Sequence, residues 1–320
     1  SRWNFMSLEL INNPFFVTLQ DRGRFSYAHL GVTNSGVMDE YAYFIVNKLL
    51  ENSLDTNVLE IGCSNVIFKV HKNTILCLTG ADCEFFINDE KKELWQNYEV
   101  KKNDIIKIGK ILSGNWIYLA VLDGFLIKKE FGSNSTTLKE SLGGIDGSRL
   151  KKGDILAFKK SRKISKRFLK KEFIPKYEDN LTLRVLLSYQ YENFLKEELE
   201  KFFLSNYVVT KDFNRMACKL SGNPIDCDLN GIISEGIAYG SIQIPKDGQP
   251  IVLLKERQTL GGYPKIGTIL NIDCFKLAQA KTGTKIKFQK ISYEDAHKKS
   301  KEFYSLSCLV NNLSKISFDS

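Results

Sequence analysis

Short runs of alternating apolar and polar residues, broken by turn residues about every ten positions, dominate this chain of 320 residues. Residues 65–70, 74–79, 84–88 and 104–109 show the pattern in the first half, and 181–187, 216–220, 240–244, 251–254 and 284–289 repeat it in the second. A period of two puts alternate side chains on opposite faces, so segments of this length and branched or aromatic content form antiparallel strands. Many short strands expose many edges, and closed or nearly closed barrels are the usual way to protect them. The expected fold class is therefore mainly β, with two tandem barrel domains and a few short helices.

Those helices are readable from caps and apolar stripes. Asp39 caps a helix through Leu50, with Tyr41, Ile45 and Leu49 on one stripe. In the second half, 192–203 carries Phe194, Leu195, Leu199, Phe202 and Phe203 on one face. Asp273 is expected to cap a third helix through Ala280. Ser292 with Asp295 starts a fourth, whose apolar side runs through Phe303, Leu306, Leu309, Val310 and Leu313. A tight-turn device recurs before strands at 101–104, 151–154 and 281–284. The domain plan is thus a first barrel over 6–158, a basic connector over 159–178, a second barrel over 179–291 and a helical tail over 292–320, with residues 1–5 set aside as a remnant ahead of Met6.

Charge and composition exclude several classes of function. Nine Lys or Arg against Glu172 give 159–176 a net +8 of the chain's +9, so the rest is nearly neutral and offers no broad nucleic-acid-binding face. That stretch interleaves Ile164, Phe168, Leu169 and Phe173, the mark of a tethered connector and not of a free tail. No apolar run approaches the ~18 residues of a membrane span, and the N-terminal stretch lacks the basic-then-apolar design of a secretory signal. Seven cysteines show no two-residue spacing, which fits free buried thiols in a reducing cytoplasm. With three histidines and no paired cysteines, no structural metal is expected. No Walker-type loop, dinucleotide-binding layout or Ala-Met-Lys-Met biotinyl segment is present.

Two polar, glycine-punctuated segments remain. The first gathers Gln20, Asp21, Arg22, Arg24, His29, Ser35 and Asp39 ahead of the first helix. It reads either as an anion site at that helix N-terminus or as a buried Asp21–Arg24 brace with Asp39 as a plain cap. The second runs through 234–236 and 243–250 to 256–265, where an apolar strand ends in Arg257, Gln258 and Thr259, then Gly261, Gly262, Tyr263 and Pro264. Arg257 suits a carboxylate or phosphate, Gln258 and Thr259 an amide or ureido group, and Tyr263 a proton relay. The plainer alternative is a bulged hairpin whose polar side chains satisfy their own backbone.

These segments carry a family resemblance. Residues 17–24 (Val-Thr-Leu-Gln-Asp-Arg-Gly-Arg) and 31–39, with Leu-Thr-Gly-Ala-Asp at 78–82, Gly-Ser-Asn-Ser-Thr at 132–136, Ser-Glu-Gly at 234–236, 247–254 and Arg-Gln-Thr-Leu-Gly-Gly-Tyr-Pro-Lys at 257–265, resemble the family of the 5-oxoprolinase C component, also known as KipA or allophanate hydrolase subunit 2. The family is grouped with biotin-dependent carboxyltransferase domains. The resemblance covers roughly residues 7–290. It implies cyclophilin-like barrels and the ATP-dependent opening of 5-oxo-L-proline to L-glutamate. It also implies partnership with a KipI-like subunit (the 5-oxoprolinase B component) and a LamB/YcsF-type subunit (the 5-oxoprolinase A component), and no nucleic-acid or membrane partner. On that footing Arg257, Gln258, Thr259 and Tyr263 are the expected catalytic set, and Gln20, Asp21, Arg24, His29, Ser35, Asp247 and Lys265 the expected substrate-binding set. ATP with Mg²⁺ is the implied cofactor, the metal arriving with the nucleotide. Two other readings stand beside this one. The first is a carboxyltransferase acting on urea or an amide, with biotin carried by another protein. The other is a non-catalytic partner of a KipI-like kinase inhibitor. Residues 216–220 lack the Gly-Tyr-Arg that relatives often show, and the tail beyond 292 has no counterpart in the family.

Overall fold

The computed structural model describes residues 6–227, 232–305 and 313–316. The expectations for residues 1–5, Cys308 and the helical positions Leu306, Leu309 and Val310 lie outside the described residues. The chain divides into two compact units, Ser1–Phe25 with Ser35–Lys176 and Leu306–Ser320, and Ser26–Asn34 with Tyr177–Ser305. Residues 26–34 thus belong with the second unit although they stand among first-unit residues in the chain.

The first unit is built on a nine-stranded antiparallel sheet: β1 (Ser7–Leu10), β2 (Val17–Gln20), β3 (Val58–Ile61), β4 (Val66–Val70), β5 (Thr74–Ile87), β6 (Glu90–Lys91), β7 (Asn97–Val100), β8 (Ile105–Val121) and β9 (Ile155–Ala157). The order is β2-β3-β8-β4-β1-β9, with β5 pairing β6, β7 and β8. The periodicity suggests separate strands at 74–79 and 84–88, yet β5 is one strand of 14 residues. Its ladder with β8 shifts register between Gly80 and Phe85, so bulges bend the strand without breaking it. Gly80 is required at the bend: its φ is +94°, and a Cβ there would lie 2.2 Å from the Trp116 carbonyl oxygen. The core beneath includes Leu8, Leu19, Leu59, Phe68, Leu78, Phe85, Ile106 and Leu119, each fully buried.

Helix α1 (Glu40–Leu49) starts where Asp39 accepts the Ala42 amide proton. It is buried on nearly every side, beyond the single stripe of the sequence expectation. One side packs on β5 and β8, and the other lies under β10 (Lys166–Leu169). The basic stretch therefore works as a strap over α1. Tyr41 donates to the Phe173 carbonyl at 2.8 Å, Arg167 to the Lys48 carbonyl at 3.3 Å, and Arg167 also pairs with Glu51 at 2.6 Å.

In the second unit, β11 (Asn180–Leu187), β12 (Asn206–Phe213), β13 (Ala217–Ser221), β15 (Ser241–Gln243), β16 (Ile251–Leu253), β18 (Lys265–Ile269) and β19 (Lys285–Lys290) close into a barrel in the order β11-β18-β15-β16-β13-β12-β19. Beside it β14 (Glu235–Gly236) pairs β17 (Leu260–Gly261) over two residue pairs. Helix α2 (Lys196–Leu204) is shorter than the apolar pattern suggests, because the chain first makes a 3-10 turn at Tyr189–Asn193. Its Phe202 stacks on Phe288 of β19 with centroids 4.4 Å apart. Helix α3 (Asn271–Ala278) corrects the cap expected at Asp273. Asp273 lies inside the first turn, fully buried, and takes three bonds from the backbone N–H and guanidinium of Arg184 at 2.6–2.8 Å. Pairing a buried carboxylate takes precedence over capping. Helix α4 (Tyr293–Tyr304) begins at the Ser292 cap as expected, while Leu313 begins the strand β20 (Leu313–Ile316), which pairs β10 in the first unit.

The three launching turns share one construction. Asn103, Gly153 and Gly283 all take positive φ. In each turn the left-handed residue donates to a carbonyl of a neighbouring strand and the next residue accepts from the same position. The partners are Val70, Leu10 and Val209. One turn chemistry thus sets strand register in both units.

Candidate functional site

The apolar strand β16 and the start of β18 deliver the second polar segment to one end of the second unit. Lys265, the first residue of β18, stands opposite Gln243 in the β15 ladder, so the two side chains share a face. Both are 6% exposed. The Lys265 ammonium pairs with the Glu235 carboxylate on β14. Glu235 also accepts from Gln190 Nε2 at 2.7 Å and from the Tyr189 hydroxyl. Gln190 Oε1 in turn accepts the Lys265 backbone N–H at 2.8 Å, and Ser188 donates to the Lys265 carbonyl at 2.6 Å. The Lys265 and Tyr189 bonds hold the Glu235 carboxyl below the usual carboxylate range, and the hydrogen bond to Glu235 raises the Tyr189 hydroxyl. Ile233, Leu260, Tyr263 and Tyr189 stand exposed on or beside the ribbon that carries Glu235.

The four residues expected to be catalytic separate into two kinds. Arg257 is engaged: Nε donates to the Ile237 carbonyl at 2.9 Å, Nη1 to the Leu254 carbonyl at 3.3 Å and Nη2 to Asn34 Oδ1 at 3.1 Å. It also lies 5.8 Å from the Tyr239 ring centre, and burial lowers its pKa. With Thr33 donating to its carbonyl at 3.1 Å, Arg257 pins residues 33–34 to the barrel end. Gln258 and Tyr263 are exposed and Thr259 half-buried, and their side chains make no hydrogen bond among the described residues. Asp247 is exposed, pairs with Lys219 at 2.8 Å and caps its own turn through the Gln249 amide. His29 is exposed on the 3-10 turn Ala28–Leu30.

In the first unit the other expected residues meet around residues 133–137. Asp21 accepts from Ser133 at 2.6 Å, the Asn134 amide at 2.7 Å, Ser135 at 2.7 Å and the Gly23 amide at 2.8 Å. Arg24 reaches Thr137 Oγ1 and the carbonyls of Ser135 and Glu130, so both residues brace the same loop. Gln20 and Ser35 both donate to the Thr136 carbonyl.

A family profile described as Carboxyltransferase domain, subdomain A and B, matches residues 30–290. The chain belongs to the carboxyltransferase-domain family. Within it, the C component of Escherichia coli 5-oxoprolinase is 31% identical over 292 residues, covering 91% of this chain and 93% of that protein. The Haemophilus influenzae protein of the same name is 30% identical over 296 residues with the same coverage. Urea amidolyase of Saccharomyces cerevisiae is 27% identical over 295 residues, and the match spans only 16% of that protein. The Kluyveromyces lactis urea carboxylase structure superposes with a TM-score of 0.89 at 23% identity, covering all of this chain and 30% of that one, a likeness of fold.

The second unit of this carboxyltransferase-domain chain offers hydrogen-bond donors and a fixed carboxylate for chemistry. No group of three His, Cys, Asp or Glu side chains fit to hold a metal ion occurs among the described residues. The buried thiols of Cys83, Cys218 and Cys274 are pushed up to about 12, which suits structural and not nucleophilic cysteines. No helix among the described residues is long and apolar enough to cross a membrane. Sequence reasoning singled out the stretches holding Glu235 and Gln243 but named neither as a site residue. Tyr189 and Gln190 gave no signal beyond a polar interruption between a strand and a helix.

Proposed function

We propose that this chain belongs to an ATP-dependent 5-oxoprolinase complex, which opens the cyclic amide of 5-oxo-L-proline to L-glutamate with hydrolysis of ATP. The observation that carries the proposal is the end-to-end match, 91% of this chain against 93% of proteins named as the C component of 5-oxoprolinase, at 30–31% identity. The partners in this reading are a KipI-like subunit and a LamB/YcsF-type subunit.

A lactam is a stable amide. Transfer of the ATP γ-phosphoryl group to its carbonyl oxygen releases ADP and activates the ring carbon; a water adds to that carbon, the C–N bond breaks as the nitrogen takes up a proton, and the resulting acyl phosphate is hydrolysed by a second water to the carboxylate and inorganic phosphate. Positioning and charge stabilisation do most of such work. The exposed Gln258 and Tyr263 and the half-buried Thr259 have side chains uncommitted among the described residues and would fix the amide. Arg257 would hold the bend that presents them. Mg²⁺ would enter as part of the nucleotide substrate.

The test is coexpression with the two partner subunits and an assay of ADP release with 5-oxo-L-proline, urea and allophanate offered separately. Oxoproline-dependent release, lost in a Gln258→Ala/Tyr263→Phe double variant that still assembles, is the expected result. Full activity in that variant refutes the residue assignment. The urea carboxylase and urea amidolyase relatives favour a second reading, transfer of a carboxyl group from a biotin carried elsewhere to urea or an amide. Carboxylation of urea without ADP release on oxoproline would select it.

A further inference from the structure

A balance of donors and acceptors around Lys265 leaves a remainder. Glu235 provides the carboxylate of the cluster and receives Lys265, Gln190 and Tyr189; the acceptor oxygen of Gln190 is used by the Lys265 backbone. An ammonium carries three N–H groups and a glutamine amide two. Among the described residues Lys265 Nζ meets only Glu235, and Gln243 Nε2, buried to less than 1 Å², meets no acceptor. Buried polar groups are nearly always paired, so neighbouring unpaired donors on one face call for an acceptor from outside the chain.

We propose that Gln243 and Lys265 form a binding subsite for a carbonyl or carboxylate oxygen of a small molecule, with Glu235 as the resident counter-ion of Lys265. Gly261 on β17 lies directly over Gln243: a Cβ there would come within 2.8 Å of Nε2. The subsite is closed by the β14–β17 ribbon, which is held by two residue pairs and carries the exposed Leu260. Entry of a ligand therefore displaces that ribbon and not the barrel wall. Acetate and a lactam carbonyl present the same acceptor chemistry, and two single-function probes separate them. The inference rests on the oxoprolinase reading only for its first probe.

The experiment uses the full-length chain labelled with ¹⁵N and follows the side-chain NH₂ signal of Gln243, assigned by its absence in Gln243→Leu. The probes are 5-oxo-L-proline, 2-pyrrolidinone, acetate and urea, each titrated to about 20 mM. Saturable movement of that signal by 5-oxo-L-proline is expected, with calorimetric affinity at least ~10-fold weaker in Gln243→Leu, the worth of one hydrogen bond to a charged group. Gln243→Glu, which sets a like charge against a carboxylate, abolishes binding of 5-oxo-L-proline and acetate. Movement by 2-pyrrolidinone and not acetate assigns the subsite to the carbonyl; the reverse assigns it to the carboxylate. Binding of urea alone upholds the subsite and refutes the oxoprolinase reading. A Gln243 signal that no probe moves, or equal binding by Gln243→Leu, overturns the proposal and leaves the pair as a structural feature of the barrel.

Discussion

In sequence the Asp21 cluster of the first unit resembles the Lys265 cluster of the second. Both are polar stretches punctuated by glycine. Their bonds differ. Around Asp21 the donors aimed at the carboxylate are all taken up: two serine hydroxyls and two backbone amides converge on one group that is 5% exposed, and only the Thr136 hydroxyl of the same loop lacks a partner among the described residues. Around Lys265 the donors outnumber the acceptors, and aromatic and aliphatic side chains stand exposed nearby. The Asp21 carboxylate is saturated without a ligand and serves the fold. The Lys265 cluster is completed by something else. Composition cannot separate these cases, because both draw on the same residue types.

The sharpest way to break this contrast is Asp21→Ala. It strands three buried donors and the half-buried Gly23 amide at once, and loss of ~3–4 kcal/mol of unfolding free energy is expected from an emptied network of this kind. Urea denaturation measures it. A loss below ~1 kcal/mol would mean that the loop 133–137 finds other partners, and the first cluster would then be as incomplete as the second.

Much of the fold behind this contrast is legible in the sequence, because strand period and turn chemistry are local. The launching turns at 101–104, 151–154 and 281–284 recur in three dimensions as three copies of one bond pattern. What local pattern cannot reveal is which partner takes a side chain. Asp273 sits in a helix start and reads as a cap, but Arg184, distant in sequence, claims its carboxylate. The strand β5 reads as two because a bulge at Gly80–Phe85 interrupts alternation as a turn would. Residues 26–34 read as part of the first barrel, and the bonds that Thr33 donates to the Arg257 carbonyl and Asn34 accepts from the Arg257 guanidinium reveal their place in the second unit. At the candidate site the Arg-Gln-Thr and Gly-Gly-Tyr-Pro-Lys stretch was visible. Its companions Tyr189, Gln190 and Glu235 come from two separate stretches of chain and become neighbours only through the β11–β18 and β14–β17 pairings.

Gly261→Ala comes next in size. The added methyl would lie 2.6 Å from the Ile237 side-chain tip and 2.8 Å from Gln243 Nε2. Both are ends of movable side chains, so the stability cost is ~1 kcal/mol. The larger effect falls on the Gln243 subsite, where affinity for an acceptor ligand should drop further than stability does. Equal and small effects on both would place the ligand elsewhere.

Glu235→Gln sharpens the comparison through pH. The Lys265 ammonium, and then the Tyr189 hydroxyl, depress the folded-state pKa of Glu235. A depressed carboxyl contributes stability above its unfolded value, near ~4.3, and loses it as pH falls through the lower folded value. The stability gap between the wild type and Glu235→Gln should therefore be widest at neutral pH and close below about pH 4, as paired urea titrations would record. A gap that persists in acid would mean that Glu235 is held by its shape and not by its charge.

The smallest effect is the most telling. Gln243→Leu removes a buried amide that has no acceptor for its Nε2 among the described residues and replaces it with an apolar group of similar volume. Removing an unpaired donor relieves a desolvation penalty, so stability should stay within ~0.5 kcal/mol of wild type or rise. Set beside the collapse expected for Asp21→Ala, such neutrality distinguishes a group kept for binding from one kept for folding, since a polar side chain that contributes nothing to the folded state is retained where its vacancy is filled by substrate. Destabilisation of ~2 kcal/mol or more would show instead that Gln243 already has its partner, a bound water included, and the asymmetry between the two clusters would disappear.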